Sequence, residues 1–177
     1  MKLIILDRDG VINHDSDAYI KSADEWRPLP GSLEAIARLS HGGYRIAVAT
    51  NHAGVARGLF DLATLGKIHT KMHHAVVDAG GRIDAIFFCP HGPDSDCNCR
   101  KPKPGMALEI IRRFHANAAE TMLVGDTMGD LQAASESGCK PVLVRTGKGA
   151  NTQAHGDLPA GTVVHDSLAS LATVLAP

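Results

Sequence analysis

The sequence is poor in the features on which nucleic-acid-binding and membrane proteins depend. Only 4% of its 177 residues are aromatic, and the formal net charge is −1. Few rings are therefore available to stack on bases, and there is no excess of basic residues to neutralise a phosphate backbone or a lipid surface. No apolar run could span a bilayer, and the N-terminal run meets charged residues too soon for a signal peptide. We expect a soluble, cytoplasmic protein that binds neither nucleic acid nor membrane.

The chain also lacks repeats, low-complexity tracts and linkers, so we expect one domain over residues 1–177. Short apolar runs alternate with amphipathic segments. The runs cover residues 3–6, 46–49, 85–89, 122–124, 142–144 and 162–164, and the amphipathic segments cover residues 32–41, 62–79, 106–116, 130–137 and 168–175. Continuous apolar runs are typical of strands that are covered on both faces. This alternation predicts an α/β fold with a three-layer, doubly wound, mostly parallel sheet of Rossmann-like type.

Polar residues follow the first four predicted strands, at the points where these strands end. They are Asp7 and Asp9, Thr50 and Asn51, Arg100 and Lys101, and Asp126 followed by Asp130. Because ligands of doubly wound folds bind beyond the carboxyl ends of the strands, we expect these side chains to meet at one edge. Carboxylates and a hydroxyl suit Mg²⁺, and fixed cations suit phosphate oxygens. One carboxylate can attack phosphorus, and an acid two residues further on can transfer protons.

Each of these clusters also has an ordinary structural interpretation. Asp-x-Asp is common in turns, and Arg100 with Lys101 can be a solvated pair. Asp126 and Asp130 can cap the helix that follows them. Because all four clusters occur in order at successive strand ends, a shared phosphoryl-transfer site is favoured over four unrelated turns.

Three of the four cysteines lie close to one histidine. The group consists of Cys89, His91, Cys97 and Cys99. Three thiolates and one imidazole are a sufficient tetrahedral ligand set for Zn²⁺, with no position left for a catalytic water. We therefore predict a structural zinc ion in a loop over residues 89–99, with metal-free thiols as the alternative. Such a loop would position Arg100 and Lys101, whereas the isolated Cys139 is expected to be a small buried side chain.

The four strand-end clusters resemble the four motifs of the haloacid dehalogenase superfamily. The matching strings are Ile5-Leu6-Asp7-Arg8-Asp9-Gly10-Val11, Thr50-Asn51, Lys101-Pro102, and Val124-Gly125-Asp126 with Asp130. The resemblance implies that Asp7 is the nucleophile and Asp9 the general acid and base. It implies that Thr50 and Lys101 stabilise the phosphoryl group, and that Mg²⁺ is held by Asp7, Asp126 and the backbone carbonyl of Asp9. Asp130 either positions the waters of the metal or caps the helix.

Residues 51–58, 89–105 and 143–149 narrow this resemblance to the D-glycero-D-manno-heptose-1,7-bisphosphate 7-phosphatases of that superfamily. The resemblance implies a small sugar bisphosphate as substrate and a role in the heptose pathway that supplies lipopolysaccharide. The implied substrate contacts are Asp15, Ser16, Asp17, Ala18, Asn51, His52, Ala53, Arg57, Arg100 and Lys101. Histidinol-phosphate phosphatases share the core motifs and the metal loop and are the alternative. A silent, zinc-stabilised binding module is a third hypothesis, which the presence of both Asp7 and Asp9 disfavours.

No segment between the motifs is long enough to form a large cap domain. We therefore expect an open site whose specificity comes from three loops, over residues 13–28, 51–60 and 89–103. An open site needs no partner subunit to close it, so a monomer is expected.

Three other features are expected to be structural. His69 and His73, four residues apart on the longest predicted helix, are assigned to a solvated face because no Glu follows His69 as in zinc proteases. Gly147-Lys148-Gly149 lacks the pattern of a nucleotide-binding loop and is interpreted as a flexible turn. Trp26 is assigned either to a loop near the site or to the core.

Overall fold

Six short apolar segments form one fully parallel sheet in a computed structural model that describes residues 1–177. The strands are β1 (Lys2–Leu6), β2 (Tyr44–Asn51), β3 (Ala85–Cys89), β4 (Met122–Gly125), β5 (Lys140–Val144) and β6 (Val163–His165). Their order across the sheet is β3-β2-β1-β4-β5-β6. Leu6 pairs with Val48 on one side and with Val124 on the other, so β1, β2 and β4 end at the same edge.

Seven helices connect or follow the strands. They are α1 (Ser32–His41), α2 (Ala53–Ala56), α3 (Leu62–Asp78), α4 (Gly105–Phe114), α5 (Met128–Ser137), α6 (Gly149–His155) and α7 (Leu168–Leu175). Single 3₁₀ turns lie at Ala23–Glu25 and Ala118–Glu120. The α/β prediction is confirmed, and the structure adds α2 and α6, which are too short to show a helical period.

The strands carry apolar side chains on both faces, which is why helices cover the sheet on both sides. Ile4 and Leu6 point into a core built with α1, α3 and α7. Leu3 and Ile5 point into a second core built with α4 and α5. Each of these fully buried aliphatic side chains contributes about 1.5–3 kcal/mol relative to an exposed one. The result is a three-layer fold that fixes the strand ends rigidly.

Capping residues define several helix ends. Thr127 and Asp130 form a reciprocal capping box at the start of α5, and Gly138 ends this helix with a left-handed φ of 80°. Asp61 caps α3, and Leu62, the first residue of the helix, is exposed. Leu65, Ile68, Met72 and Val76 recur at spacings of three and four residues and form the buried face of this helix.

The segment between β1 and α1 folds over the edge of the sheet. Asn13 bridges to Asp9 and to Pro28, and Trp26 is only 1% exposed within the larger core. Trp26 therefore anchors this loop by packing, which settles its two proposed placements in favour of the core. No large cap domain is present, as predicted. None of the helices has the length and apolar character that crossing a membrane requires.

Candidate active site

Lys101 is the centre of the polar cluster at the carboxyl edge of the sheet. Its Nζ lies 2.9 Å from Oδ1 of Asp7 and 2.6 Å from Oδ1 of Asp130, and it donates to the carbonyl of Ala49 at 2.7 Å. The lysine is buried, with 7% of its surface exposed. Burial alone would lower the pKa of Lys101, but the carboxylates of Asp130 and Asp7 outweigh burial and raise it above its usual value. A permanent positive charge therefore lies directly beside Asp7.

Asp7 follows β1 and is almost fully buried. Burial and the nearby carboxylate of Asp130 raise the pKa of Asp7 well above its usual value, whereas Lys101 opposes this rise. The backbone N–H of Arg8 donates to Oδ1 of Asp7 at 2.8 Å. The carboxylate of Asp7 is thus oriented by the Lys101 ammonium and by the Arg8 N–H. Its raised pKa indicates that these partners alone do not fully stabilise its negative charge.

Asp126 lies against two glycines. A Cβ on Gly10 would lie 2.1 Å from Oδ2 of Asp126, and a Cβ on Gly147 would lie 2.3 Å from it, so a side chain at either position would displace the carboxylate. The N–H of Lys148 donates to Oδ2 at 2.8 Å. Oδ1 is buried without any hydrogen-bond partner, and burial together with Asp130 raises the pKa of Asp126 to about 7. Both features indicate a missing positive charge.

Asp130 has both of its oxygens engaged. Oδ2 accepts from the N–H and hydroxyl of Thr127 at 3.1 and 2.7 Å, and Oδ1 pairs with Lys101. The capping interpretation of Asp130 is therefore correct, and its second oxygen fixes the ammonium that faces Asp7. Ligand oxygens of Asp7, Asp126 and Asp130 lie within 4.8 Å of one another.

The donor set fits Mg²⁺. Hard carboxylate oxygens are its preferred protein ligands, and the unpartnered Oδ1 of Asp126 is the kind of buried polar atom that a cation would satisfy. The predicted ligand role of the Asp9 carbonyl stays a prediction.

Asp9 lies at the start of the loop that follows β1, and one of its oxygens is heavily engaged. Oδ1 accepts from Nε and Nη2 of Arg8 at 2.9 and 2.8 Å and from Nδ2 of Asn13 at 2.9 Å. The side chain keeps 25% of its surface exposed toward the cavity. Arg8 belongs to the first sequence motif, but the family resemblance implies no role for it.

Thr50 and Asn51 end β2 beside the lysine loop. The side chain of Asn51 donates to the carbonyl of Lys101 at 3.0 Å and accepts from its N–H at 3.1 Å. Thr50 is 1% exposed, and its Oγ1 lies 3.3 Å from Nε2 of His52. Asn51 therefore ties the backbone of Lys101 to the sheet.

These groups line a wholly polar cavity of about 300 Å³. Its lining side chains include Asp7, Asp9, Asp15, Thr50, Asn51, Arg100, Lys101, Asp126, Thr127, Asp130 and Lys148. A neighbouring cavity of about 220 Å³ shares Asp9, Asp15, Asn51, Arg100 and Lys148 and adds Ser16, Asp17, His52 and Ala53. Of the predicted substrate contacts, Ala18 and Arg57 line neither cavity, and the guanidinium of Arg57 lies over the Tyr19 ring at 5.7 Å.

Lys148 is a site residue that sequence reasoning missed. Its Nζ lies 3.3 Å from Oδ2 of Asp15 and 3.6 Å from Oδ1 of Asp17, across the opening of the site. The stretch interpreted as a flexible turn is in fact packed: Gly147 touches Asp126, and Gly149 begins α6. The position of Lys148 between two glycines, shortly after the end of β5, could have predicted that it lies at the site.

The assignment of His69 to a solvated face was wrong. His69 is 8% exposed and its Nε2 lies 3.3 Å from Nη1 of Arg8, whereas His73 is exposed. His69 follows Leu65 by four residues and precedes Met72 by three, so helical spacing already placed it on the buried face.

The cysteine–histidine loop brings its four ligand atoms together. The Sγ of Cys89 lies 3.7 Å from that of Cys97 and 3.4 Å from Nδ1 of His91, which lies 3.3 Å from Sγ of Cys99. A Zn–S bond of 2.3 Å in a tetrahedron gives sulfur–sulfur distances of about 3.7 Å. The Cys89–Cys99 distance is shorter, at 2.9 Å. All the cysteines are free thiols, and Cys139 is buried apart from the loop, as predicted.

Comparison with known proteins agrees with this geometry. A family model described as HAD-hydrolase-like matches residues 98–171. The D-glycero-beta-D-manno-heptose-1,7-bisphosphate 7-phosphatase of Bordetella bronchiseptica is 58% identical over 175 residues, 99% of this chain and 98% of that protein. The protein of the same name from Pseudomonas aeruginosa is 53% identical, covering 98% and 97% of the two chains. A crystal structure of the B. bronchiseptica D,D-heptose 1,7-bisphosphate phosphatase with magnesium and phosphate has a TM-score of 0.97, at 58% identity and coverage of 99% and 98%.

The fold and the cluster of acids around one lysine define a phosphatase of the haloacid dehalogenase superfamily. Within it, the chain belongs to the family of D-glycero-beta-D-manno-heptose-1,7-bisphosphate 7-phosphatases. The family resemblance predicted from the sequence is thereby confirmed.

Proposed function

We propose that this chain hydrolyses the 7-phosphate of D-glycero-β-D-manno-heptose 1,7-bisphosphate through a phosphorylated aspartate. The observation that carries the proposal is the placement of buried Asp7 at 2.9 Å from the Lys101 ammonium, with Asp9 lining the same polar cavity. The family of the chain supports the choice of substrate.

In the first half of the reaction, a carboxylate oxygen of Asp7 attacks phosphorus. The ester P–O bond breaks with its electron pair on the sugar oxygen, and Asp9 donates a proton to that oxygen. Lys101 and Thr50 stabilise the phosphoryl oxygens. In the second half, Asp9 takes a proton from water as the water attacks phosphorus, and the bond to Asp7 breaks. Proton transfers of this kind are worth typically about 10²–10⁴-fold.

Asp7, Asp126 and the carbonyl of Asp9 would hold Mg²⁺. When bound, the cation supplies positive charge that offsets the repulsion between the anionic nucleophile and the anionic phosphate. The raised pKa values of Asp7 and Asp126 support this assignment, because each reflects a carboxylate without enough neighbouring positive charge.

Cys89, His91, Cys97 and Cys99 would hold a structural Zn²⁺. The closeness of the four ligand atoms and the 3.7 Å between the sulfurs of Cys89 and Cys97 support a zinc site, and four protein ligands would exclude substrate from the ion. Arg100 follows the last ligand, donates to the carbonyl of His91 at 3.3 Å and lines both cavities. The ion would thus position Arg100 and Lys101 for the sugar phosphate.

Two loops would recognise the sugar and its second phosphate. The second cavity is lined by Asp15, Ser16 and Asp17 from one loop and by Asn51, His52 and Ala53 from the other. Carboxylates suit the hydroxyls of a sugar, and Arg100 suits a phosphate. Ala18 and Arg57, outside the lining, would contribute only by shaping the loops.

We place the enzyme in the cytoplasm as a single-domain monomer that supplies heptose precursors for lipopolysaccharide. Four free cysteines, three of them gathered for a metal, support a reducing compartment. The residues of all four motifs meet within a single chain, so the proposed site needs no residue from a second subunit.

A substrate panel tests the proposal. Steady-state kcat/KM values are measured with both anomers of the heptose bisphosphate, with histidinol phosphate and with simple sugar monophosphates. The β anomer is expected to be the best substrate. A higher kcat/KM for histidinol phosphate would contradict the proposal and favour the alternative family.

A further inference from the structure

Arg8 lies between the two proposed catalytic acids in the sequence, and its side chain is completely buried. A buried guanidinium needs partners for its charge and for its N–H donors. Its side-chain partners are Oδ1 of Asp9, reached by Nε and Nη2, and Nε2 of His69, reached by Nη1. The proposed reaction gives neither Arg8 nor His69 a role.

The contacts of Asp9 are strongly asymmetric. Its Oδ1 accepts three hydrogen bonds, two from Arg8 and one from Asn13, and Oδ2 accepts none. A carboxylate oxygen that is already saturated by donors cannot also carry a proton. The proton that Asp9 transfers must therefore reside on Oδ2.

We propose that Arg8 is a positioning residue that, anchored by His69, fixes Oδ2 of Asp9 as the atom that transfers the proton. The inference rests on the proposed function, in which Asp9 protonates the leaving oxygen. As the ester P–O bond breaks, its electron pair stays on the sugar oxygen and Oδ2 supplies the proton. When water later attacks phosphorus, Oδ2 receives the proton of that water.

His69 is suited to anchor the other end of Arg8. A guanidinium only donates hydrogen bonds, so Nε2 of His69 must accept, which puts the ring proton on Nδ1 and leaves the ring neutral. Burial and the charge of Arg8 lower the pKa of His69 to about 4, in agreement with a neutral ring. The anchor adds no second positive charge beside Asp9.

Two substrates whose leaving groups differ in their need for a proton can distinguish a positioning role of Arg8 from a purely structural one. A sugar alkoxide leaves only if it is protonated, whereas p-nitrophenolate leaves without a proton. In the magnesium-loaded Arg8→Met variant, kcat for the heptose bisphosphate is expected to fall about 10²-fold with KM nearly unchanged. The pre-steady-state burst of p-nitrophenol from p-nitrophenyl phosphate is expected to keep its rate, because that step needs no proton. The following steady-state rate falls, because water activation still needs Asp9.

Two further comparisons guard against a loss of folding. Arg8→Lys keeps the charge without the fork and is expected to lose kcat by about 10-fold. His69→Gln restores an acceptor for Arg8, so its kcat should exceed that of His69→Leu. Ile36→Val, a core substitution on α1 that lines neither cavity, controls for lowered melting temperature.

The outcomes are distinguishable. Equal losses of burst rate and steady-state rate in Arg8→Met, or equal kcat in the two His69 variants, would overturn the inference alone. A wild-type enzyme that turns over neither ester would overturn the proposed function and the inference with it.

Discussion

Two clusters of metal-ligand side chains lie near the same edge of the sheet, and they differ in almost every physical respect. The carboxylate cluster of Asp7, Asp126 and Asp130 stands on strand ends and a helix N-terminus, inside a polar cavity. The cysteine–histidine cluster consists of Cys89, the last residue of β3, and three residues of the loop that follows, and only Cys89 among its members is buried. The sheet therefore fixes the positions of the carboxylates, whereas three of the four cysteine–histidine ligands belong to a loop that a bound metal would stabilise.

The two clusters also differ in how many of their ligand atoms already have partners. In the carboxylate cluster, Oδ1 of Asp126 has no partner and the pKa values of two acids are raised, so the site is left electrostatically unbalanced. In the cysteine–histidine cluster, four protein ligand atoms lie within 4.8 Å of one another, which is the number of ligands that a structural zinc ion needs. The proposed roles follow from this difference: the carboxylate cluster would take a cation and the substrate, and the cysteine–histidine cluster would take an ion that only stabilises its loop.

The largest expected effect is at Asp7. Asp7→Asn keeps the shape of the side chain but removes the nucleophilic oxygen charge, and kcat should fall by 10⁴-fold or more, about 5.5 kcal/mol in barrier. The measurement is steady-state phosphate release with magnesium present. Activity within tenfold of wild type would remove the distinction between the two clusters, because the carboxylate cluster would not be the reactive one.

A substitution in the cysteine–histidine cluster should instead lower the stability of the fold. Cys97→Ser is expected to lose the bound zinc and to cost roughly 2 kcal/mol, or about 4–8 °C in Tm, for a chain of this size. At temperatures well below Tm, kcat should change little. Metal analysis and calorimetry provide the two measurements.

Cys139→Ala is the matched control, since Cys139 is a buried thiol outside the loop. It should keep the zinc content of wild type. Wild-type protein without zinc, prepared under reducing conditions, would contradict the structural-site assignment.

The residues of both clusters could be predicted from the sequence, whereas contacts between distant segments could not. Strand ends and ligand spacing are local properties, so the four polar clusters and the cysteine group could be predicted from the order of residues alone. The partners of Arg8 and the pairing of Lys148 with Asp15 depend on how separate segments pack. Helix α6 has only seven residues, too few for a period to appear.

Asn51 holds the backbone of Lys101, which follows Cys99 by two residues, and its removal should have an intermediate effect. Asn51→Ala deletes the two hydrogen bonds that hold the backbone of Lys101 to β2. Displacement of the ammonium should lower kcat by about 10-fold, near 1.4 kcal/mol in barrier. Zinc content should stay unchanged, and a loss of zinc would show that the clusters are coupled more tightly than these contacts indicate.

The smallest effect is expected at the opening of the cavity. Lys148→Met removes exposed ion pairs to Asp15 and Asp17 and one cation from the lining, so KM for the bisphosphate should rise a few-fold with kcat kept. Added salt should narrow the difference between variant and wild type. A kcat effect larger than the KM effect would place Lys148 in the chemical step instead.

The most direct measurement is to trap the phosphorylated enzyme. Asp9→Asn enzyme, slowed in the hydrolysis of the intermediate, is mixed with p-nitrophenyl phosphate, whose leaving group needs no proton. The mixture is quenched in acid, digested and examined by mass spectrometry. One phosphoryl group on the peptide that contains Asp7 is the predicted result. A phosphoryl group on another residue, or none while the variant still turns over, would contradict the mechanism.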